Sequence, residues 1–433
     1  MAMDGKELVE KLAKLSQVQS IKDIPQLTHA LFPGTHCPLM GAAMAVGGIK
    51  DSLIVVVGTD ECTYYTKSMT IHSEKFGGID GRCVSVVLDD HDVTFGSAEK
   101  VQESFKEIIE EYRPRCVFLV TTCVIEIIGD DFDAISEGLS ELYGIPVLPV
   151  HTEHFKCEDH LPGLERTITV CAEMMKSCDS DNSVNLLGQR MGDFATTELY
   201  AMLQKAGVKI GLQLPCGCSV DDIKNAAAAK VNIVVNDIAL PLAQKMQEKF
   251  GIPYVYFNKF VIPEKIYEAY KNLFGYLELE LPGELEGLYQ NAREKIEKNK
   301  GELEGITYIY GNTPYAVFEM NCFLSSLGMV PQVIQTNRYT EADEPYAKEI
   351  LQYTDPYVCK AANIAPLQYV YDVLSPYLYL GHEFGNRLRQ KGIAIVHSDR
   401  ASGMLGFEVT GYLLQQLVKS VREAKEYRKE LGL

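Results

Sequence analysis

The chain has 433 residues, 46% hydrophobic and 23% charged, a globular balance that excludes disordered and fibrous classes and, at roughly 150 residues per domain, leaves room for about three domains. The 41 basic against 59 acidic side chains give a net charge of −18, which disfavours binding along a nucleic-acid backbone or an anionic membrane surface. Apolar runs such as 53–57 fall far short of the roughly 20 residues that span a bilayer, and the first residues lack a basic-then-apolar leader. A soluble, cytoplasmic protein is expected, in which twelve cysteines serve as core thiols or metal ligands rather than as a disulfide framework.

Residues 4–17 are charged and amphipathic and predict an N-terminal helix. From there short β-branched runs alternate with helical periodicity. The runs 52–58, 83–88, 116–121 and 146–150 predict buried parallel strands, with helices at 97–112 and 131–143 between them, and so a doubly wound unit. The polar stretch 177–183 (SCDSDNS) marks a boundary, after which 184–187, 209–214 and 231–235 repeat the strand pattern around helices at 193–206 and 220–229. Segment 263–305 is charge-rich and helical, is broken at Pro282 and Gly283, and is expected to connect rather than to form core. A third unit runs through 307–310, 330–335, 356–360, 377–380 and 394–396. The expected fold class is α/β, with three doubly wound (Rossmann-like) parallel-sheet domains over residues 1–180, 181–300 and 301–433.

Neither G-x-x-x-x-G-K-[ST] nor G-x-G-x-x-G occurs, so nucleotide binding is not expected, and the absence of G-x-S-x-G and H-E-x-x-H removes the common hydrolase readings. Three cysteines stand out instead, each beside glycine or proline at a predicted strand edge. They are Cys37 in Cys37-Pro38-Leu39-Met40-Gly41-Ala42, Cys62 in Gly58-Thr59-Asp60-Glu61-Cys62, and Cys123 in Thr121-Thr122-Cys123-Val124-Ile125-Glu126. Cys62 and Cys123 each follow the carboxyl end of a predicted parallel strand, where the loops of a doubly wound sheet converge on one crevice. Thiolates are the ligands of iron–sulfur clusters, and a site needs about four, so three from one chain leave a position for a second subunit. Spacing alone also admits small buried core thiols, because separations of 25 and 61 residues match no compact metal-binding pattern.

These segments, above all the third with its continuation Ile127-Ile128-Gly129-Asp130-Asp131, resemble the nitrogenase component 1 family. That family includes both subunits of the molybdenum–iron protein, its cofactor-assembly scaffold, the dark-operative protochlorophyllide reductase and the methylthio-alkane reductase. The resemblance extends to Asp92-Val93-Thr94-Phe95-Gly96-Ser97, to Asn185-Leu186-Leu187-Gly188 and to 231–253, and weakens beyond Pro263. It implies three α/β domains and an iron–sulfur cluster of P-cluster type, held by Cys37, Cys62 and Cys123 against a homologous subunit in an α2β2-like heterotetramer.

It further implies a nitrogenase-like oxidoreductase. Low-potential electrons would come from a separate ATP-dependent iron–sulfur reductase and pass through that cluster to a larger iron–sulfur metallocofactor reducing a small substrate. The alternative within the family is a scaffold for nitrogenase-type cofactor assembly, and outside it a stand-alone α/β protein with structural thiols. In the catalytic subunit of nitrogenase and in one subunit of its scaffold, a cofactor-holding cysteine lies shortly after the strand that resembles 231–235; here that place is Asn236, or Val235 if the register slips by one. Either this is a partner subunit without the cofactor, or the ligand comes from elsewhere. Cys216 and Cys218 in Pro215-Cys216-Gly217-Cys218-Ser219 are the nearest candidates, although the loop reads equally well as an ordinary turn into a helix capped by Ser219 or Asp221.

His382, after strand 377–380, is a candidate ligand or proton donor, and His397 with Arg400 a candidate lining of a substrate pocket; a helix-start histidine and plain surface residues are the competing readings. His151, His154, Cys157 and His160 gather metal-capable side chains, but at a spacing that needs a loop to converge and lacks the tight pairs of zinc sites.

Overall fold

The structure is a computed structural model that describes residues 4–27, 36–71, 79, 81–157, 159–190, 192–257, 260–311, 313, 316–360 and 364–433. The β-branched runs form three parallel sheets. In the first, β1 (Ser52–Gly58), β2 (Cys83–Val87), β3 (Cys116–Thr121) and β4 (Val147–Val150) lie in the order β2-β1-β3-β4. Every residue of β1 and β3 is buried, as continuous apolar runs require of strands covered on both faces. Strand order reverses between β1 and β3, so the loops leaving their carboxyl ends part and open a crevice.

The second sheet, β5 (Val184–Gln189), β6 (Ile210–Pro215), β7 (Val231–Val234) and β8 (Tyr254–Tyr256), has the order β8-β7-β5-β6 and reverses between β5 and β7. The third, β9 (Thr307–Tyr310), β10 (Val330–Gln335), β11 (Tyr357–Cys359), β12 (Leu378–Leu380) and β13 (Ala394–Val396), has the order β11-β10-β9-β12-β13 and reverses between β9 and β12. The α/β class with three parallel sheets is as expected. β8 is not, since three residues are too few to show a pattern.

Two segments depart from expectation. The N-terminal helix stops at Glu10 instead of Gln17: Asp4 caps it by accepting from the Lys6 amide at 2.9 Å, and Ala13–Lys14 then pairs antiparallel with β11 on the third sheet. Tertiary pairing overrides local helix preference there. The presumed connector is core. Helix Pro263–Leu277 buries Ile266, Ala269, Tyr270, Leu273, Phe274 and Leu277, a helical stripe that its charged outer face conceals, in an apolar core shared by the second and third sheets. A second core joins the first and second sheets, so neighbouring units share their apolar interior. Among the described residues, no helix is long and apolar enough to cross a membrane.

Candidate metal centre

The crevice of the first sheet gathers the three cysteines through close backbone approaches. β1 and β3 are in register to Val57 and Thr121. One residue on, the Thr122 hydroxyl donates to the Val57 carbonyl at 2.9 Å, and a Cβ on Gly58 would lie 2.1 Å from that hydroxyl oxygen. Only glycine lets the two loops start side by side. The chain then enters helix Asp60–Ile71, whose third residue is Cys62, and helix Cys123–Ile128, which opens with Cys123. Cys37 is the N-cap of helix Pro38–Gly47. That helix lies in backbone contact with helix Leu161–Val170: a Cβ on Gly41 would stand 1.9 Å from the His160 carbonyl oxygen, and one on Gly163 1.8 Å from that of Pro38.

All three thiols are half-buried, and Cys37 and Cys62 lean on the core between the first two sheets. Burial pushes the Cys123 thiol up, the charge of Cys62 and then of Cys37 adds in the same direction, and the Val124 and Cys123 amides pull it down. The three therefore share one electrostatic environment. Thr59 Oγ1 donates to Cys62 Sγ at 3.6 Å. Among the described residues, no three His, Cys, Asp or Glu side chains are close enough to hold a single ion.

Two carboxylates that the sequence offered only as parts of a motif turn out to brace these loops. Glu126 accepts from the hydroxyls of Thr121 at 3.0 Å and Thr152 at 2.9 Å and from the His154 amide at 3.1 Å, tying the Cys123 helix to the loop after β4. Asp130 accepts from the Ser97 amide at 2.7 Å and hydroxyl at 2.6 Å, tying it to the segment that ends the Asp90–Phe95 helix. Large apolar side chains on these same helices face solvent: Tyr64 is 74% exposed, Phe95 76% and Ile127 71%.

The remaining candidates are dispersed. Asn236 is buried and caps the turn Asp237–Ala239, its Oδ1 accepting from the Ile238 amide at 3.2 Å. Cys216 Sγ donates to the Arg190 carbonyl at 3.4 Å. Cys218 sits in a two-residue strand beside Ile49–Lys50, 1% exposed, its thiol pushed up to about 12 by burial. His382 and His397 share a groove of about 130 Å³ with Glu383 and Asp399, and His382 Nε2 is 3.3 Å from Asp399 Oδ1. The four metal-capable residues of 151–160 do not converge. His151 pairs with Asp133 at 3.1 Å, Cys157 Sγ donates to the Thr152 carbonyl at 3.6 Å, and burial with the nearby Arg190 charge lowers His160 to about 4.

Comparison with known proteins agrees with this architecture. The family model for nitrogenase component 1 type oxidoreductases matches residues 37–422. The nitrogenase iron-molybdenum cofactor biosynthesis protein NifE of Clostridium pasteurianum is 31% identical over 224 residues, 51% of this chain but only about half, 49%, of that protein's length. The NifE protein of Rippkaea orientalis is 24% identical over 73% of this chain and 69% of its own. The nitrogenase molybdenum-iron protein alpha chain of Methanosarcina barkeri is 24% identical over 72% of this chain and 62% of its own. The solved structure of nitrogenase Cp1 at pH 6.5 superposes with a TM-score of 0.77 at 14% identity, over 92% of this chain and 94% of that one, a likeness of fold. The chain is a member of the nitrogenase component 1 family.

Proposed function

We propose that the chain is a subunit of a nitrogenase-type cofactor-assembly scaffold, in which Cys37, Cys62 and Cys123 hold an iron–sulfur cluster against a homologous subunit. The convergence of three half-buried thiols at helix starts, in one crevice of the first sheet, carries this reading. The donor set fits the group. Three half-buried thiols that act on one another electrostatically suit an iron–sulfur cluster, whose remaining positions take ligands from a partner. The exposed Tyr64, Phe95 and Ile127 would be covered in such an assembly. When bound, the cluster supplies low-potential electron storage and transfer. The chain's own part is to present the thiols at helix starts, to donate from Thr59 to the Cys62 sulfur, and to lock the loops through Glu126 and Asp130.

Two relatives bear a cofactor-biosynthesis name, and Asn236 in place of a thiolate suits a partner subunit that does not itself hold the cofactor. This reverses the order of the two functions that the resemblance implies. The second reading is a reductase subunit, fed by an ATP-dependent iron–sulfur reductase through a P-cluster-type centre, with a metallocofactor beside Cys216, Cys218, His382 or His397. The Methanosarcina barkeri alpha chain favours it.

Anaerobic purification with the homologous partner, followed by iron and sulfide counts and EPR, tests the centre. Cys62→Ala and Cys123→Ala should each remove iron and loosen an α2β2-like complex, and full iron content in an intact oligomer would refute the ligand assignment. Incubating the loaded complex with a cofactor-depleted acceptor separates the two functions: transfer of iron supports the scaffold, and ATP-dependent substrate reduction without transfer supports the reductase.

A further inference from the structure

One guanidinium stands between two of the three thiols. Arg166 lies on helix Leu161–Val170, one turn beyond Gly163, the residue at which that helix meets the Pro38 carbonyl beside Cys37. Backbone packed on backbone does not give, so Cys37 and Arg166 ride on one rigid pair of helices. From there the side chain reaches into the loop after β4. Arg166 Nη1 donates to the Thr152 carbonyl at 2.5 Å, with the His151 carbonyl at 3.3 Å and the Cys157 sulfur at 3.6 Å also in its reach, and Nη2 lies 2.5 Å from Glu153 Oε2. Lys156 holds the other oxygen of Glu153 at 2.6 Å.

That grip works against the backbone. Glu153 is left-handed, with φ +44° and ψ +47°, a conformation that a residue with a Cβ keeps only where its surroundings impose it. The strained turn aims three successive donors of one loop at Glu126: the Thr152 hydroxyl at 2.9 Å, the Glu153 amide, and the His154 amide at 3.1 Å. Glu126 belongs to the helix that Cys123 opens. One path from the Cys37 helix to the Cys123 helix therefore runs through Arg166, the loop 151–157 and Glu126, and every step in it is a backbone contact or a hydrogen bond.

We propose that Arg166 is a positioning residue of the metal centre: by imposing the left-handed turn at Glu153 it sets where the Cys123 helix stands relative to Cys37, and so the spacing of the two thiols. A fork that binds a carbonyl and a carboxylate at once suits this task, since it fixes direction as well as distance. The inference rests on the three-cysteine reading, which it deepens by assigning the spacing of the ligands to a residue on none of their helices.

Two arms test it. In the metal-free full chain, hydrogen exchange at the Glu153 and His154 amides reads the loop without the cluster, and Arg166→Met should speed both by about tenfold or more. In the anaerobically purified complex with the homologous partner, Arg166→Met should weaken iron retention against a chelator by about tenfold or more and shift the EPR signal of the iron that remains, with Arg166→Lys falling between. Adding Glu153→Gly separates positioning from plain packing, because glycine takes the left-handed turn unaided: exchange protection, iron and EPR signal should all return toward wild type. Iron and EPR signal unaltered in Arg166→Met, or no recovery on adding glycine, overturns the proposal. Should Arg166→Met not fold, Arg166→Lys with and without Glu153→Gly carries the same decision. Cys62→Ala, measured alongside, tells the two failures apart. If it keeps all its iron, the three-cysteine reading fails and this inference with it; if it loses iron while Arg166→Met exchanges faster yet binds iron normally, the reading stands and the positioning role alone falls.

Discussion

At the switch point of the first sheet, β1 and β3 lead into helix starts that present Cys62 and Cys123, whereas at the equivalent point of the second sheet β5 and β7 lead to Arg190 and Asn236, and the buried thiol there, Cys218, is turned into the core. Backbone topology is the same in both, parallel strands with the order reversing at the crevice. The chemistry differs because the residue types on the loops differ: soft, ionisable sulfur in one, a permanent cation and an amide in the other. One fold motif repeated within a chain thus presents thiols from its helix starts at one crevice and not at the other, and the position of a crevice does not tell which.

The largest effect that sharpens this contrast concerns how the first crevice is closed. Gly163→Ala puts a methyl group where 1.8 Å separates it from the Pro38 carbonyl oxygen, and Gly41→Ala does the same at 1.9 Å from that of His160. Backbone has no rotamer with which to yield, so each should cost about 3 kcal/mol or more in denaturant unfolding and displace the helix that begins at Cys37. Gly138→Ala is the control. It lies in helix Phe132–Tyr143 with nothing within 4 Å of the new atom, and should gain roughly 0.5–1 kcal/mol. Equal effects at all three positions would show that the two helices are not in contact.

A second prediction asks whether the seam beyond the second sheet carries uncompensated charge. Glu319, 5% exposed, has one carboxylate oxygen without a hydrogen-bond partner; burial lifts its pKa to about 7, against the pull of Lys265. The folded value lies above the ordinary one, so the fold favours the protonated acid. Its contribution is whole below about pH 4.5 and is lost as pH rises through about 7, amounting to at most about 3 kcal/mol. Glu319→Gln should match wild type near pH 4.5 and exceed it at pH 8. Unfolding curves for the two that run parallel from pH 5 to 8 would remove Glu319 from the comparison.

The strands around both crevices were legible because β-branched runs such as SLIVVVG and CVFLVT can be satisfied only by burial on both faces. Helix Pro38–Gly47, which positions Cys37, was not. PLMGAAMAVG is apolar all round, so it carries no 3.6-residue rhythm, and it needs none because nearly every side is buried. Helix Pro263–Leu277 failed in the opposite way, its buried stripe hidden by charged neighbours. The three cysteines were legible as a set only through their motifs. Their convergence depends on Gly58, Gly41 and Gly163, whose necessity is a matter of distances no sequence states. Arg166 was invisible for a related reason. Its hold on Glu153 shows only once the left-handed turn and the loop around the guanidinium are known.

A smaller effect tests the second crevice's lack of a working thiolate. Cys218→Ala removes one buried sulfur and should cost about 1–2 kcal/mol as a small cavity, with bound iron unchanged. A thiol pushed up to about 12 surrenders its proton too reluctantly to compete for iron. Iron lost on this substitution would mean that the second crevice also binds through sulfur, and the contrast with the first would collapse.

The smallest effect lies in the contact that spans the two units. Arg115, just ahead of β3, pairs through both guanidinium nitrogens with Asp221 in helix Val220–Lys224, at 2.7 and 2.6 Å. The geometry is ideal, but both side chains are about half exposed, 48% and 52%, so water and salt screen the attraction and ordering two side chains offsets it. Asp221→Asn should therefore change stability only slightly at low salt and not measurably at about 1 M, where the Debye length falls to about 3 Å. Stability is not the more telling readout. If the shared core alone fixes how the first and second units sit, the iron held by Cys37, Cys62 and Cys123 should be untouched by Asp221→Asn. A change would mean that this exposed ion pair sets the relation of the two crevices, and that they work as one site rather than as two.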